Sequence, residues 1–331
     1  MRNFKRFAVL TLLLAFVIGV NSLLSFALYP YTYSRVDIHN LISEDHDTIF
    51  VGSSHGKCGL NPEVFDSVCG TVSTNQCLGG EYPIDAYHIV RLACETGHKP
   101  KQVIYELDAG YFVTEPNEGA DFAILYEEFP ASFTKLHYWL TKILDGDFRS
   151  TLFPWYLYRG KLFSLKDTIA SKTGSEYKNY GISSFANPAQ IYHSSGFIER
   201  LVQSSDKSVK DTPVLYSAED ICTESERYFN KLAEFCREEG IRLIAVTTPV
   251  PEVTTQEHSS AYEGADQYFT ALTKAQGVEY YNCNYMEEFS DLRDLNYYVD
   301  YDGHYYGTYA NLFTERFAKM LAERGSALSA S

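Results

Sequence analysis

Residues 47–54 read Asp-Thr-Ile-Phe-Val-Gly-Ser-Ser. The run from Ile49 to Val51 is short, apolar and rich in β-forming residues, and polar residues and Gly52 bound it, a pattern typical of a buried strand. Gly52 permits a sharp turn, and a serine placed just after it is exposed at the edge of the sheet beside backbone N–H groups. The stretch therefore predicts a first strand followed by a turn that carries a candidate nucleophile.

Strands and helices alternate through much of the remaining chain. The sequence predicts further strands over 71–77, 102–108, 241–246 and 278–281, and helices over 83–96, 218–239, 260–276 and 308–324. This alternation predicts an α/β fold, a doubly wound and mostly parallel five-stranded sheet covered on both faces. Between about 110 and 212 the pattern loosens into aromatic clusters, which predicts a largely helical insertion.

The N-terminus predicts a membrane anchor. Arg2, Lys5 and Arg6 precede an apolar run over residues 7–28, about as long as the roughly 20 residues that cross a bilayer. The basic cluster predicts a cytoplasmic N-terminus by the positive-inside rule. We therefore expect a single-pass cell-membrane protein with a cytoplasmic tail at 1–6, a transmembrane signal anchor at 7–28 and an extracytoplasmic domain at 38–325. A cleaved signal peptide is the alternative, with a weak cleavage signal between Ser22 and Ala27.

Composition excludes two classes of protein. The chain has 28 Lys and Arg residues against 43 Asp and Glu residues, a formal net charge of −15, and 45% of its residues are hydrophobic. A disordered tail protein lacks such apolar mass, and a nucleic-acid binder needs a basic surface. The sequence thus predicts a globular protein with no nucleic-acid partner.

A serine nucleophile needs a base to take its proton. His304 is the candidate, because the loop between the last strand and the last helix opens on the same carboxyl edge of the sheet as the first turn. Asp300 and Asp302 each offer a carboxylate to orient the imidazole, as the acid does in a Ser-His-Asp triad. At alternate positions these three residues also allow a metal site as the alternative. The prediction is a site without metal or cofactor.

These motifs resemble the SGNH (GDSL-type) hydrolase superfamily. The resemblance is carried by Gly52-Ser53-Ser54-His55 after a buried strand, a glycine loop after the second strand and an Asp/His pair before the final helix. It covers roughly residues 47–106 and 241–324, and the closer match is the membrane-anchored branch similar to the DltD proteins of teichoic-acid D-alanylation and to proteins of exopolysaccharide O-acetylation. The resemblance implies an SGNH/flavodoxin-like three-layer sandwich, and it assigns the nucleophile to Ser54.

The family's pattern also implies an oxyanion hole, and the chain departs from that pattern at two places. The hole would be formed by the backbone N–H groups of Ser54 and of Gly79 or Gly80, with the Asn75 side chain. The family's acid stands three residues before its histidine, where this chain has Tyr301. Either a neighbouring aspartate has taken the role or the site is a Ser-His dyad. The family's asparagine after the third strand is missing, and Glu106, Asp108 and Gly110 occupy that region instead.

The sequence therefore predicts a serine-dependent esterase or acyltransferase at the outer membrane face. The resemblance implies cell-envelope polysaccharides or teichoic-acid-type polymers as acceptors, for transfer or removal of O-acetyl or D-alanyl groups, and a multi-pass membrane acyltransferase as a partner. The alternative is a catalytically inactive module of the same fold that binds glycan or assists an envelope-polymer assembly complex.

Overall fold

The computed structural model describes residues 2–115, 125–145, 148–201 and 213–329. The strands are β1 (Thr48–Gly52), β2 (Ser73–Asn75), β3 (Gln102–Glu106), β4 (Gln190–Tyr192), β5 (Ile198–Arg200), β6 (Arg242–Thr247) and β7 (Glu279–Asn282). The helices are α1 (Arg2–Leu28), α2 (Tyr33–Ser43), α3 (Ser54–Gly59), α4 (Pro62–Cys69), α5 (Pro83–Glu95), α6 (Gly110–Val113), α7 (Phe133–Asp145), α8 (Phe148–Leu152), α9 (Leu165–Thr173), α10 (Ser175–Lys178), α11 (Thr223–Glu239), α12 (Glu252–Glu257), α13 (Ser259–Gln276) and α14 (Gly307–Ser329).

The central sheet contains five parallel strands in the order β2-β1-β3-β6-β7. Successive side chains of the inner strands point to opposite faces and enter different cores. Phe50, Ile104 and Ile244 lie side by side toward α4 and α14, while their strand neighbours pack toward α5, α11 and α13. The predicted α/β class, with helices on both faces of a five-stranded parallel sheet, is confirmed.

The strand order places a switch point beside β1. The chain crosses from β1 to β2 on one side and then returns to β3 on the other, so the loops after β1 and β3 diverge and leave a crevice at the carboxyl edge. In open parallel sheets this crevice is the usual position of a binding site. Ser54 follows β1 directly, at this edge.

Several elements differ from the expectation. The predicted turn after β1 is instead the short helix α3, and helices α2 and α12 had no clear sequence signal. Two glycines disfavour a helix in α3, but the Ser53 side chain caps it by accepting the His55 N–H at 3.2 Å.

Between β3 and α11, the residues that the structure describes form mainly short helices and one pair of strands. This region contains α6 to α10 and also the antiparallel pair β4 and β5, which the sequence pattern did not indicate. Within the predicted insertion at 110–212, residues 116–124, 146–147 and 202–212 lie outside the described residues, as does Met1 in the predicted tail.

Helix α1 is long and apolar enough to cross a membrane. Its segment Phe4–Leu28 has 25 residues and a mean hydropathy of 2.4 in its most apolar window, none of which is buried inside the protein. The last residues of α1, Ala27 and Leu28, are buried against the domain. An exposed apolar helix of this length is a candidate for a membrane span.

Candidate active site

The turn after β1 sets the position of Ser54. Gly52 has a φ of +139°, and a Cβ there would lie 2.5 Å from the Glu106 carbonyl oxygen, so only glycine fits. Ser53 follows as the N-cap of α3. Ser54 is therefore the first residue of α3 and lies two residues after the end of β1.

The structure brings Ser54, His304 and Asp300 together. The Ser54 Oγ lies 2.8 Å from His304 Nε2, and His304 Nδ1 lies 2.8 Å from Asp300 Oδ2. The other Asp300 oxygen accepts the N–H groups of Gly303 at 2.9 Å and His304 at 3.1 Å. Gly303 has a φ of +126°, and this bend lets the Asp300 carboxylate, four residues before His304, reach the His304 imidazole.

Asp302 does not contact His304 in the manner of a triad acid. Its Oδ2 lies 3.6 Å from Nε2 of His55, whose Nδ1 lies 3.6 Å from Asp108 Oδ2. Of the two alternatives that the sequence left open, Asp300 is the one whose carboxylate bonds to His304 Nδ1, while the carboxylate of Asp302 lies beside His55. The reason is geometric, since the Gly303 bend turns Asp300 toward Nδ1 of His304.

The charges of this cluster are linked. Burial by itself lowers the pKa of His55, but Asp302 and Asp108 raise it well above its usual value. Burial raises the pKa of Asp302, yet the charge and contact of His55 hold it below its usual value. Burial also opposes ionisation of Asp300, and the hydrogen bonds and charge of His304 nevertheless keep the pKa of Asp300 well below its usual range. The acid beside the base is therefore an ionised acceptor.

Two buried carboxyl groups bond to the turn at Gly52 and Ser53, which precedes Ser54. Neither contact was predicted from the sequence. Glu106 Oε2 accepts the Ser53 N–H at 2.9 Å and the Ser53 hydroxyl at 2.7 Å. Glu81 Oε1 accepts the Gly52 N–H at 2.8 Å. Burial raises the pKa of Glu81 well above its usual value, and the nearby Asp85 raises it further. The available signals in the sequence were a charged residue at the end of a buried strand, Glu106, and another directly after the glycine loop, Glu81.

The titration of Glu81 gives a prediction about stability. A carboxyl group whose pKa is higher in the folded state stabilises the fold most at low pH, and that contribution is lost as pH rises through the folded pKa. Glu81→Gln keeps an acceptor for the Gly52 N–H but cannot ionise. We expect the variant to gain stability relative to the natural chain as pH rises above 4.5, by about 1.4 kcal/mol for each unit of pKa elevation.

Denaturant unfolding of both proteins in detergent, between about pH 5 and about pH 8, measures this difference. A difference in the free energy of unfolding that stays constant over this range would contradict the assignment.

The predicted oxyanion donors differ in whether they already donate to another acceptor. The Asn75 side chain does not fit the role, because its amide donates to the carbonyls of Gly56 at 2.9 Å and Leu60 at 2.7 Å in a fully buried position. The Gly80 N–H is also engaged, with the Leu78 carbonyl at 2.8 Å. The Gly79 N–H faces the Tyr33 hydroxyl. The Ser54 N–H, at the start of α3, has no intrahelical acceptor and is the donor best placed for an oxyanion.

A cavity opens beside the imidazole of His55. It has a volume of about 50 Å³, and His55, Asp108 and Asp302 line its polar end, while Val214 and Phe269 line its apolar end. A void of this size holds a few waters or a short acyl group. Asp108 also accepts the N–H of Gly110 at 2.8 Å, so it both caps the turn after β3 and faces the cavity.

One group of side chains in this cluster has the composition of a metal site. Ligand atoms of His55, Asp302 and His304 lie within 4.8 Å of one another. Both nitrogens of His304 already bind Ser54 and Asp300, so a metal ion would have to displace one of these partners. The arrangement fits proton transfer between Ser54 and His304 without such a displacement.

The chain matches no protein-family model and no curated protein. Support for a function therefore comes from the geometry of the site and from the sequence motifs.

Proposed function

We propose that this protein is a serine-dependent esterase or acyltransferase with Ser54 as nucleophile, His304 as base and Asp300 as the acid that orients the base. The hydrogen-bonded series from Ser54 Oγ to His304 Nε2 and from His304 Nδ1 to Asp300, both at 2.8 Å, carries the proposal. These are the contacts that a nucleophile, a base and an orienting group require.

The reaction would proceed in two balanced steps. Ser54 Oγ attacks the carbonyl carbon of an ester or thioester while its proton passes to His304 Nε2. The carbonyl oxygen becomes an oxyanion that the Ser54 N–H stabilises, and removal of such a donor typically costs about 10² to 10³ in rate. Collapse expels the alcohol or thiol, which takes the proton from His304. Water or a polymer hydroxyl then attacks the acyl-enzyme carbonyl and gives its proton to His304, and collapse breaks the bond to Ser54 Oγ, which takes that proton back and releases the acylated acceptor.

Three observations favour a short acyl group and an acceptor at the membrane. The cavity beside His55 is small, which suits an acetyl-sized or aminoacyl-sized group. The apolar helix α1 would tether the domain to a bilayer, which raises the effective concentration of membrane-bound or wall-bound partners. Arg2, Lys5 and Arg6 would keep the N-terminus in the cytoplasm and place the domain outside.

The resemblance to the SGNH superfamily adds the acceptor class. By that resemblance the acceptors are cell-envelope polysaccharides or teichoic-acid-type polymers, and a multi-pass membrane acyltransferase is the donor partner.

Labelling of the purified full-length chain with a fluorophosphonate tests the proposal. We expect one covalent adduct at Ser54, which Ser54→Ala abolishes and His304→Ala strongly suppresses, because an unassisted hydroxyl is a poor nucleophile. Ser290→Ala is the control, since the Ser290 hydroxyl is exposed and donates to the nearby Glu287 carbonyl, and labelling of Ser54 should persist in it. An inert Ser54 would favour a non-catalytic module, and labelling that survives Ser54→Ala would assign the reactive nucleophile to another residue; both contradict the proposal.

A further inference from the structure

Helix α7 presents its apolar side to solvent. Phe133, Leu136, Leu140 and Leu144 are exposed and recur at the spacing of one helix face, the pattern that normally packs onto a core. Phe133 is 81% exposed and Leu144 is 79% exposed. Soluble domains rarely leave a contiguous apolar stripe of this kind uncovered.

Buried polar contacts hold α7 in this orientation. Tyr138 and Lys142 face inward, where the Tyr138 hydroxyl donates to Asp85 and the Lys142 ammonium lies 3.6 Å from the same carboxylate. At the start of the helix, Glu95 accepts the Phe133 N–H at 2.7 Å. Rotation of the helix to bury its leucines would leave buried charges without partners, which is strongly unfavourable.

The apolar stripe continues into the segments that follow. Trp139 of α7 donates to the Thr151 carbonyl of α8 at 3.2 Å, so the two helices lie together. Further exposed apolar residues occur in α8 and in the 3-10 segment Arg159–Ser164, where Phe163 is fully exposed. The insertion face is defined here as the side chains of Phe133, Leu136, Leu140, Leu144, Phe148, Leu152, Leu162 and Phe163.

The insertion face adjoins the membrane-length helix. The Trp155 indole N–H donates to Asn21 Oδ1 at 2.9 Å, and the Asn21 amide donates to the Leu152 carbonyl at 3.4 Å. The Lys172 ammonium donates to the Phe26 carbonyl at 3.1 Å. The insertion is therefore held directly against the C-terminal turns of α1.

The position of Asn21 along α1 sets the level of these contacts. The apolar segment begins at Phe4 and the predicted anchor at residue 7, so a rise of 1.5 Å per residue places Asn21 about 21 to 26 Å farther along the helix axis. The hydrocarbon core of a bilayer is roughly 30 Å thick. When α1 crosses a bilayer, Asn21 and the adjoining Leu152 thus lie near the boundary between hydrocarbon and headgroups.

The composition of residues 148–166 suits that boundary. The stretch contains Arg149, Arg159, Lys161 and Lys166 and no acidic residue, although the chain as a whole has a net charge of −15. It is also rich in aromatic residues, which favour the membrane interface. Basic groups beside an apolar surface are attracted to anionic headgroups.

We propose that the insertion face is a second membrane contact, in which α7, α8 and the segment Arg159–Ser164 place their apolar side chains among the lipid headgroups. A single helix leaves a domain free to rotate and tilt, whereas a second contact on the adjoining insertion fixes its orientation. The proposal depends on α1 crossing a membrane and does not depend on catalysis at Ser54.

Tryptophan substitution in the full-length chain tests this contact. Phe163→Trp and Leu144→Trp place reporters on the insertion face, and Val72→Trp places one at an exposed apolar site outside it. The proteins are reconstituted into nanodiscs of phosphatidylcholine and phosphatidylglycerol, with and without lipids brominated on their acyl chains. The emission that each new tryptophan adds is obtained by subtracting the emission of the natural chain. Brominated lipid should quench the added emission at positions 163 and 144 roughly twofold or more strongly than the added emission at position 72.

Leu13→Trp reports on the span itself and separates the two ways to fail. If Trp at 13 is quenched while Trp at 163 and 144 behaves like Trp at 72, the second contact is refuted. A blue-shifted emission at 163 without bromine quenching would show that protein covers the face, which also overturns the proposal. Loss of quenching at 13 would refute it too, by removing the span on which it depends.

Discussion

Replacing Asp300 with asparagine should slow acylation of Ser54 by a factor of about 10⁴, the loss that the corresponding change causes in a Ser-His-Asp triad. An ionised carboxylate only accepts hydrogen bonds, so Asp300 holds the proton of His304 on Nδ1 and leaves Nε2 free to accept from Ser54. An asparagine amide can donate to Nδ1 and so favour the tautomer with Nε2 protonated. The second-order rate constant of fluorophosphonate labelling, together with hydrolysis of p-nitrophenyl acetate, measures the loss.

Asp302→Asn is the matched control for this change. It removes the same charge two residues away, but its carboxylate, although within 4.8 Å of a His304 nitrogen, pairs with His55 Nε2 at 3.6 Å and leaves the contact between Asp300 and His304 in place. We expect a loss of about tenfold or less, because only the surrounding charge changes. A larger loss in Asp302→Asn would assign the acid to Asp302, and equal losses would mean that neither aspartate orients the base more than the other; both results contradict the geometry.

The sequence indicated that Ser54 and His304 meet, but it did not indicate which of the two aspartates contacts the base. Ser54 and His304 could be placed together because both follow strands of a parallel sheet, whose carboxyl ends share one edge. The choice between Asp300 and Asp302 could not be made, since it depends on the positive φ of Gly303. A glycine in a loop indicates that a bend is allowed and not where that bend aims a side chain.

The contacts of Glu81 and Glu106 with the turn before Ser54 could not be predicted from the sequence. Glu81 and Glu106 belong to separate loop and strand ends, and only the assembled sheet brings both to that turn. Helix α7 shows a related limit. Its apolar period predicts a helix, but the direction in which the stripe faces is decided by the buried Asp85 and its partners.

A buried ion pair between Lys57 and Asp37 connects α3, the helix that carries Ser54, to α2. Lys57 belongs to α3, about one turn after Ser54, and Asp37 belongs to α2, which follows the anchor helix. The Lys57 ammonium lies 2.7 Å from Asp37 and donates to the Asn75 carbonyl at 3.1 Å, and the Tyr192 hydroxyl donates to Asp37. Burial raises the pKa of Asp37, and the charge of Lys57 opposes that rise. The pair thus joins α2, α3 and the β4–β5 hairpin at one point.

Asp37→Leu should destabilise the protein by about 3 to 5 kcal/mol, because removal of one partner leaves the other charge buried and uncompensated. We expect the midpoint of thermal unfolding to fall by roughly 10 °C. The labelling rate of Ser54 should fall as well, since Lys57 and Ser54 share a short helix. Differential scanning calorimetry of the full-length chain in detergent measures the stability.

The double variant Asp37→Leu/Lys57→Met separates the charge from the packing. With both charges removed, apolar side chains fill a similar volume, and much of the lost stability should return, because desolvation of a buried pair offsets most of its attraction. Lys99→Met is the surface control. Its ammonium lies 3.5 Å from Glu239 with both side chains well exposed, and its removal should cost less than about 1 kcal/mol. The opposing result is a loss of stability in the double variant that equals the sum of the losses measured for Asp37→Leu and Lys57→Met alone. The two charges would then act independently, and the pair would not join α2 to α3.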